Sequence, residues 1–430
     1  MRILIQGGRV LDPASGTDKV MDVLVEDRAV VAMGEGLNEP ADRVIDAEGL
    51  WVCPGFIDLH THLREPGFTY KETIATGTRS GAKGGFTTLC AMPNTDPVTD
   101  TDIIVEYIQL KARREGVVRV LPIGAITKGQ QGETLAEIGA MAQAGACALS
   151  EDGKSVENAG LLRSAMTYAK MFGLPIFDHC EDKTLSAGGS MNAGPQAQLL
   201  GLKGISRESE DVIIARDIIL AEAVGIPLHI CHLSTKRGVE LVREARQRGS
   251  QITAEVTPHH FTLIDEDITD YDGNTKMAPP VRSREDRAAL LQGLKDGTIG
   301  AIATDHAPHA VEEKNREYED CAFGIVGLET ALPLGVTELV ETGILSPLEL
   351  VGKLTFGPAE ILGRSDLGRL EVGGIADIAI VDPAARYGID AQSFASKGKN
   401  TPFDGRPVQG RVLYTLAQGR MVVAEGELTE

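Results

Sequence analysis

The amino-acid sequence predicts an α/β fold in which a TIM-like (β/α)8 barrel carries a small β-sandwich domain formed from both termini. Three observations support this prediction. The middle of the chain contains eight short apolar runs that end in polar residues. Helical patterns separate most of these runs, as expected for alternating strands and helices in a closed parallel barrel. Both ends of the chain instead show alternating strands broken by Gly and Asp.

The two terminal segments share one texture and differ from the middle of the chain. Residues 1–54 include RILIQGGRVLD and MDVLVEDRAVVAMG, and residues 365–430 include GRLEVGGIADIAIVDP. Alternation of apolar and polar residues between turn residues is typical of strands with one buried face. We therefore expect residues 1–54 and 365–430 to form the β-sandwich domain and residues 55–364 to form the barrel.

Eight predicted strands follow one another along the middle of the chain. They are GFIDLHTH (55–62), GFTTLCAMPN (85–94), VRVLPIGAIT (118–127), GACALSED (145–152), LPIFDHC (174–180), IPLHICHLS (226–234), SQITAEVTPHH (250–260) and TIGAIATDHAPH (298–309). Segments such as TDIIVEYIQLKARREG between them have helical periodicity. The alternative is a doubly wound open sheet. Eight units favour closure, and no Gly-x-Gly-x-x-Gly follows the first strand.

The charge balance excludes several classes of partner. The chain has 42 basic and 62 acidic residues, which gives a formal charge of −20. Nucleic acids and anionic membranes require clustered Lys and Arg, so neither is expected as a partner. No apolar run reaches the ~18 residues of a membrane span. The six cysteines form no Cys-x-x-Cys pair and the N-terminus reads as a strand, so we expect a reduced, cytoplasmic location.

The polar ends of the predicted strands carry residues that suit a metal centre. In such a barrel the chemistry lies at the carboxyl ends of the strands. His60 and His62 end the first strand and share a face, because strand residues i and i+2 point the same way. Further histidines and carboxylates end strands four, five, six and eight. The candidate ligands are His60, His62, Asp152, His179, His232 and Asp305.

The number of these ligands indicates two metal ions rather than one. Imidazole and carboxylate together suit Zn²⁺ or a similar ion. Six ligands exceed what one tetrahedral zinc needs, whereas two ions about 3.5–4 Å apart would use them. Among the remaining histidines, His229, His259, His260 and His306 are expected to be structural. For His309, spacing alone leaves a substrate contact and a structural role equally open.

The motifs resemble those of the dihydroorotases of the amidohydrolase superfamily, specifically the longer bacterial type. The shared strings are DLHTHLREPG (58–67), AMPNT (91–95), SEDGKS (150–155), DHCED (178–182), CHLST (231–235) and ATDHAPH (303–309). GIVGLETALPL, LTFGPAEILG, GGIADIAIVDP and KNTPFDGRPVQG extend the resemblance to the C-terminus. Hydantoinases and allantoinases look similar but usually hold their metals with a carboxylated lysine at the end of strand four. This chain has ALSEDG there, and Lys154 is expected to be solvated or in a local contact.

The resemblance implies a zinc-dependent cyclic amidohydrolase with two Zn²⁺ ions per subunit. A hydroxide and Asp152 would bridge the two ions. The implied ligand sets are His60, His62 and Asp305 for one ion, His179 and His232 for the other, and Asp152 for both. Glu151 has the opposite strand parity to Asp152 and is expected to point away.

The resemblance also implies a set of substrate contacts. They are His62, Arg64, Asn94, Ala278, His309, Phe323 and Gly324. Arg64 is apt because its planar guanidinium binds a carboxylate bidentately. The competing interpretation of Arg64 is a surface ion pair with Glu65 or Glu72. Many relatives have Asn where this chain has Ala278, so either the backbone of Ala278 suffices or that contact is made elsewhere.

The reaction implied is the reversible cyclisation of N-carbamoyl-L-aspartate to L-dihydroorotate and water, in de novo pyrimidine biosynthesis. Asp305 would carry the proton in both directions. Two alternatives stay open: a hydantoinase- or allantoinase-like cyclic amidase, and a non-catalytic scaffold for aspartate transcarbamoylase. Intact ligand positions disfavour the scaffold. A homodimer is expected at the family level only, and a complex of the active enzyme with aspartate transcarbamoylase is left open.

The segment from 310 to 323, AVEEKNREYEDCAF, is charged. Its sequence suggests no buried pattern. A lid that closes over the substrate and a plain surface loop are equally expected.

Overall fold

The N-terminal residues form strands, as their alternating pattern predicts. In the computed structural model, which describes residues 1–429, these strands are β1 (Arg2–Asp12), β2 (Thr17–Glu26), β3 (Ala29–Gly34), β4 (Arg43–Asp46) and β5 (Trp51–Pro54). Strand β1 pairs antiparallel with β2 and parallel with β4 and β5. Alternate residues such as Ile3, Ile5 and Val23 are completely buried in one apolar core. The alternation in the sequence therefore marks the inner face of this sheet.

The eight apolar runs form eight parallel strands in chain order. They are β6 (Phe56–Thr61), β7 (Phe86–Ala91), β8 (Arg119–Ala125), β9 (Ala148–Ser150), β10 (Ile176–Asp178), β13 (Leu228–Ile230), β14 (Ile252–Val256) and β15 (Ala301–Ile302), with a separate pair, β11 (Met191–Asn192) and β12 (Gly204–Ile205), before β13. A parallel bridge from Thr61 to His306 joins the first strand to the segment after the last. The N–H of His62 donates to the His306 carbonyl at 2.8 Å. These contacts close the barrel, so the predicted fold class is confirmed.

One buried carboxylate joins the first and last strands of the barrel. Asp58 is completely buried, and its Oδ2 accepts from the Thr304 hydroxyl at 2.6 Å. Its Oδ1 accepts from the N–H groups of Thr304 and His60 at 3.1 and 3.0 Å. Burial raises the pKa of Asp58 to about 7 despite these bonds. Asp58 thereby holds the ends of β6 and β15 side by side.

Helices follow most of the barrel strands and cover the outside of the barrel. They are α1 (Ile74–Lys83), α2 (Asp102–Glu115), α3 (Ile138–Ala144), α4 (Ala159–Lys170), α5 (Lys183–Ser186), α6 (Pro195–Leu200), α7 (Glu208–Val224), α8 (Lys236–Gln247), α9 (Pro258–Thr262), α10 (Arg284–Lys295), α11 (Val311–Lys314), α12 (Ala331–Gly335), α13 (Pro347–Leu354) and α14 (Phe356–Ile361). Asn158 and Thr235 cap α4 and α8 by accepting from backbone N–H groups. Within residues 1–429, every helix is too short or too polar to cross a bilayer.

The C-terminal strands complete the sheet begun at the N-terminus. They are β16 (Ile378–Gly388), β17 (Pro407–Ala417), β18 (Arg420–Ala424) and β19 (Glu427–Leu428). Strand β16 pairs antiparallel with β5, which makes a single nine-stranded sheet. The β2–β3 turn meets the β17–β18 turn, where the guanidinium of Arg28 donates to Gln418 at 2.8 Å. The sheet therefore curls round a core of its own.

The seventh apolar run ends earlier than its sequence suggests. Strand β14 stops at Val256, and the chain turns into α9 at Pro258. The Thr257 hydroxyl accepts from the N–H of His260, and proline is favoured in the first turn of a helix. The cap and the proline therefore override the apolar pattern at this end.

Candidate metal centre and substrate cavity

Five strand ends bring the six candidate ligands together at one mouth of the barrel. His60 lies in β6 and His62 directly follows it, and the other ligands follow β9, β10, β13 and β15. All six side chains are buried, and the most exposed of them, Asp305, is only 6% exposed. Parallel strands end at the same edge, so strand position alone accounts for this convergence.

The first group joins two histidines to Asp305. Oδ1 of Asp305 lies 3.0 Å from Nε2 of His62 and 3.5 Å from Nε2 of His60. Ligand atoms of these three residues all lie within 4.8 Å of one another. Tetrahedral ligands at usual zinc–nitrogen distances would be about 3.3 Å apart. The spacing therefore suits one metal ion.

The second group joins two histidines to Asp152. Nδ1 of His179 lies 2.9 Å from Nε2 of His232, and these atoms lie 3.6 and 3.8 Å from Oδ1 of Asp152. Asp152 also reaches the first group, with Oδ1 3.1 Å from Nε2 of His60 and Oδ2 3.4 Å from Nε2 of His62. Asp152 thus lies between the two groups, and His60, Asp152 and His232 also offer ligand atoms within 4.8 Å of one another.

The outer ring nitrogens of the first group are held by hydrogen bonds. Nδ1 of His62 donates to Oδ1 of Asn94 at 2.8 Å, and Nδ1 of His60 donates to Oε1 of Glu255 at 3.0 Å. Each bond keeps the hydrogen on the outer nitrogen and the lone pair on the inner one. Nε2 of His60 is buried without a hydrogen-bond partner among the described residues. An unpaired buried nitrogen facing carboxylates fits a metal ligand.

Opposite charges keep the carboxylates of the site ionised, and a bound metal ion would replace the proton on the inner nitrogen of a histidine ligand. Burial raises the pKa of Asp305, but the neighbouring His60 and His62 outweigh it and hold that pKa below its usual value. Burial lowers the pKa of His60, but the carboxylates of Asp152 and Asp305 outweigh it and raise that pKa. The carboxylates are therefore anionic at neutral pH, as metal ligands must be.

Backbone strain accompanies the site. Arg64, His232 and Asp305 have φ angles of 60°, 33° and 48°, in the left-handed region that non-glycine residues rarely adopt. Each such residue costs about 1–3 kcal/mol, and strain of this kind clusters at functional sites. Three strained residues at one barrel mouth support a functional role for it.

A cavity of about 480 Å³ opens above the ligands. Its wall includes the predicted contacts His62, Arg64, Asn94, Ala278, His309, Phe323 and Gly324. Nε of Arg64 donates to the Pro308 carbonyl at 3.2 Å, and Nη1 makes no hydrogen bond to the described residues. Arg64 pairs with neither Glu65 nor Glu72 among these residues. Its charge is therefore available to a ligand in the cavity.

Other parts of the wall offer backbone groups. Gly324 has a φ of 119°, and a Cβ there would lie 2.7 Å from that of Ala307, so this position requires glycine. Nε2 of His309 donates to the Phe323 carbonyl at 2.8 Å. The N–H groups of Phe323 and Ala278 have no hydrogen-bond partner among residues 1–429 and can meet a ligand.

Some sequence interpretations need correction or addition around this cavity. The segment 310–323 does contain a buried pattern, because Lys314, Tyr318 and Cys321 are buried. The pattern escaped detection because one of its members is a lysine. Asn94, predicted to contact substrate, also donates to Oδ2 of Asp152 at 3.3 Å.

Three of the residues expected to lie outside the site do so. His306 contacts Glu72 at 3.3 Å, and His229 contacts Glu255 at 3.0 Å. Glu151 turns away from the ligands and accepts from the N–H of Thr127 at 3.1 Å.

Two carboxylates that sequence reasoning missed contact the candidate ligands. Glu255 holds His60, and Oε2 of Glu181 lies 3.2 Å from Nε2 of His179. A signal for Glu255 was present, because it is an acid in the middle of the apolar run SQITAEVTPHH. No signal in the sequence distinguished Glu181 from a solvated residue.

The fold and the site define a class: a (β/α)8 barrel whose mouth is lined by histidines and aspartates that could hold a metal ion. A solved structure of L-hydantoinase from Arthrobacter aurescens is similar over 100% of this chain and 97% of its own, with a TM-score of 0.90 and 29% identity. A D-hydantoinase structure is similar over 100% of this chain and 96% of its own, with a TM-score of 0.87 and 25% identity.

Within this class, the chain belongs to the dihydroorotase family. A family model described as "Dihydro-orotase-like" matches residues 49–238. A relative named Dihydroorotase from Caldanaerobacter subterraneus is 52% identical over 98% of this chain and 97% of that protein. Another so named, from Pelotomaculum thermopropionicum, is 52% identical over 99% of each chain. The family resemblance read from the motifs is thereby confirmed.

Proposed function

We propose that this protein catalyses the reversible cyclisation of N-carbamoyl-L-aspartate to L-dihydroorotate and water in pyrimidine biosynthesis. Family membership supports this reaction. The observation that carries it is the convergence of six buried ligand side chains in one cavity beside the guanidinium of Arg64, which forms no ion pair with a carboxylate among the described residues. Such a cavity suits a small cyclic amide that carries a carboxylate.

The proposed cofactor is a pair of Zn²⁺ ions. One would be held by His60, His62 and Asp305, the other by His179 and His232, with Asp152 shared between them. When bound, zinc lowers the pKa of a water molecule to about 7 and polarises an amide carbonyl. The mixed imidazole and carboxylate donors and their spacing support this choice.

Asp305 is proposed to carry the proton. Its Oδ1 faces His62, whereas its Oδ2 has no hydrogen-bond partner among the described residues. The lowered pKa of this carboxyl keeps it ionised, so it carries no proton of its own before the reaction. In ring opening it would take the proton of the attacking water and deliver it to the departing ring nitrogen. In ring closure it would accept the proton of the attacking nitrogen and deliver it to the oxygen that departs as water.

Arg64 is proposed to bind the carboxylate that the substrate keeps in both directions. Its free Nη1 supports this role, because a guanidinium binds a carboxylate through parallel N–H donors. The unpaired N–H groups of Ala278 and Phe323 would meet the polar edge of the ring. Ala278 can then serve through its backbone, without the amide side chain that many relatives have.

The test is an assay of both directions on protein of measured zinc content, with hydantoin and allantoin as parallel substrates. We expect dihydroorotate to be turned over, chelation to abolish turnover, and zinc to restore it. Preferential turnover of hydantoin or allantoin would contradict the proposal. The His60→Ala variant should lose zinc, and an unchanged zinc content by elemental analysis would refute the ligand assignment.

Four further predictions stay separate from this test. We propose that residues 1–54 and 365–430 form a domain distinct from the barrel of residues 55–364. A homodimer, a complex with aspartate transcarbamoylase and a cytoplasmic location also stay predictions. Sedimentation of the protein alone, and with aspartate transcarbamoylase, tests the two assembly predictions.

A further inference from the structure

Two lysines beside the cavity are buried without a carboxylate partner. Lys276 is 2% exposed and Lys314 is 7% exposed. Neither forms an ion pair within residues 1–429. Burying an ammonium group without an anion is costly, so the surrounding polar groups must compensate for it.

Backbone carbonyls of one segment, residues 319–324, provide this compensation. Nζ of Lys276 donates to the carbonyls of Glu319 and Cys321, both at 2.8 Å. The same ammonium lies 4.3 Å from the centre of the Phe323 ring, within cation–π distance. Lys276 therefore contacts the segment through two hydrogen bonds and one cation–π interaction.

Lys314 ties the same segment from its other side. Its Nζ donates to the carbonyls of Ala322 and Gly324 at 2.8 and 2.9 Å. A third bond, at 3.2 Å, reaches the carbonyl of Lys276. That carbonyl also accepts from the N–H of Gly324 at 3.0 Å. Lys314 thus joins the 319–324 segment to the chain at Lys276.

These bonds fix the backbone that borders the cavity. Ala278 lies two residues beyond Lys276, and Phe323 lies within the tied segment. Both carry N–H groups without a partner among the described residues. Apart from that of Asp320, the carbonyls of the segment accept hydrogen bonds from the lysines, from His309 and from Asn400. The lysines therefore keep these backbone carbonyls turned away from the cavity edge. The free N–H groups of Ala278 and Phe323 lie at that edge.

We propose that Lys276 and Lys314 are positioning residues that hold the 319–324 segment against residues 276–278 and thereby set the affinity for substrate. They act through the backbone of Phe323 and Ala278 rather than on the reacting atoms. This inference rests on the proposed use of the cavity for substrate. It does not depend on the proposed metal ligands.

The test compares Lys276→Met and Lys314→Met, which keep most of the apolar stem and remove the ammonium. Charge-assisted hydrogen bonds are worth enough that we expect KM for dihydroorotate to rise about 10- to 100-fold. The kcat and the zinc content should stay within about twofold, because neither lysine touches the ligands or reacting atoms. A KM within about twofold of wild type in both variants would overturn the proposal.

Lys353→Met is the matched control. Burial lowers the pKa of Lys353 and of Lys314 alike to about 8, and Nζ of Lys353 also donates to a backbone carbonyl, that of Ile299, at 2.6 Å. Ile299 precedes β15, at the opposite end of the barrel. This variant should lose stability and keep its KM. An equal rise of KM in Lys353→Met would show that losing any buried lysine raises KM by destabilising the fold, and it would overturn the proposal.

Hydrogen exchange of the wild-type enzyme gives a second measurement that needs no variant to fold. The Gly324 amide should exchange at least about 100-fold more slowly than that of exposed Arg316, which has no backbone acceptor within residues 1–429. Equal exchange rates would overturn the proposal that the 319–324 segment is held in place. If wild-type enzyme lacked dihydroorotase turnover altogether, the proposed function would fail, whereas slow exchange at Gly324 would still show that the 319–324 segment is held against Lys276.

Discussion

Replacing Glu255 by Gln should weaken metal binding without disturbing the fold. Glu255 is completely buried in β14, and its two oxygens face different imidazoles. Oε1 accepts from Nδ1 of His60 at 3.0 Å, and Oε2 lies 3.0 Å from Nε2 of His229. A glutamine can keep both contacts, with its oxygen toward His60 and its amide toward His229. The opposite nitrogen of His229 can then donate to Thr253, which lies 2.9 Å away.

The substitution therefore removes mainly the charge. Burial raises the pKa of Glu255, but hydrogen bonds from His229 and His60 outweigh it and lower the pKa to about 2. The carboxylate is thus ionised at neutral pH, where it makes His60 a more basic ligand. Losing such a partner costs about 10- to 100-fold in metal affinity. This range corresponds to ~1.4–2.7 kcal/mol.

The assay is a zinc titration against a chromophoric chelator of known affinity. Glu72→Gln is the control, because Glu72 is equally buried and contacts His306, which is not a candidate ligand. We expect weaker zinc binding in Glu255→Gln and unchanged binding in Glu72→Gln. Zinc affinity within about twofold of wild type in Glu255→Gln would refute the reasoning, since that is below ~0.5 kcal/mol. An equal loss in both variants would refute its link to His60.

Three further predictions concern other parts of the molecule. Asp305→Asn should retain zinc and lose at least ~100-fold in kcat in both directions, and near-normal kcat would exclude its proton role. Arg64→Met should raise KM about 100-fold, because a bidentate carboxylate contact is lost, and an unchanged KM would exclude that contact. Burial raises the pKa of Glu329 to about 7, so its contribution to stability is lost as the pH rises from 4.5 to 7. In urea unfolding, Glu329→Gln should therefore match wild type near pH 4.5 and exceed it by up to ~3 kcal/mol above pH 7; a difference independent of pH would contradict this.

The barrel was predictable because its signal is local. Each strand is a short apolar run, and each candidate ligand follows from its position at a strand end. The family resemblance selected Asp152, and strand parity predicted that Glu151 points away, as it does. The end of β14 was predicted too late in the chain, because the helix cap at Thr257 and the following proline outweigh the apolar pattern. The pairing of β5 with β16 could not be predicted from the sequence. Pro54 lies opposite Ile378, and only the folded chain brings these distant residues together.

The parts of the site that sequence reasoning missed are charged residues in buried places. Glu255 lies in an apolar strand and Lys314 in a charged segment, yet both are buried. Sequence patterns treat charged residues as solvated, because most are. Their burial depends on partners far along the chain, such as His60 for Glu255, 195 residues away. Such residues become visible only when the fold supplies those partners.

The charges at the site explain how a chain of formal charge −20 can bind an anion. Around the ligands, the carboxylates of Asp152 and Asp305 lie near the guanidinium of Arg64, and Glu255 lies behind His60. These three carboxylates outnumber that one guanidinium and leave the cavity floor negative before a metal binds. Two bound Zn²⁺ ions would reverse that sign. Metal and substrate binding should then be positively coupled, since each ligand improves the electrostatic environment of the other. The carboxylates that hold the metals would thus favour the anionic substrate only through the metals they hold.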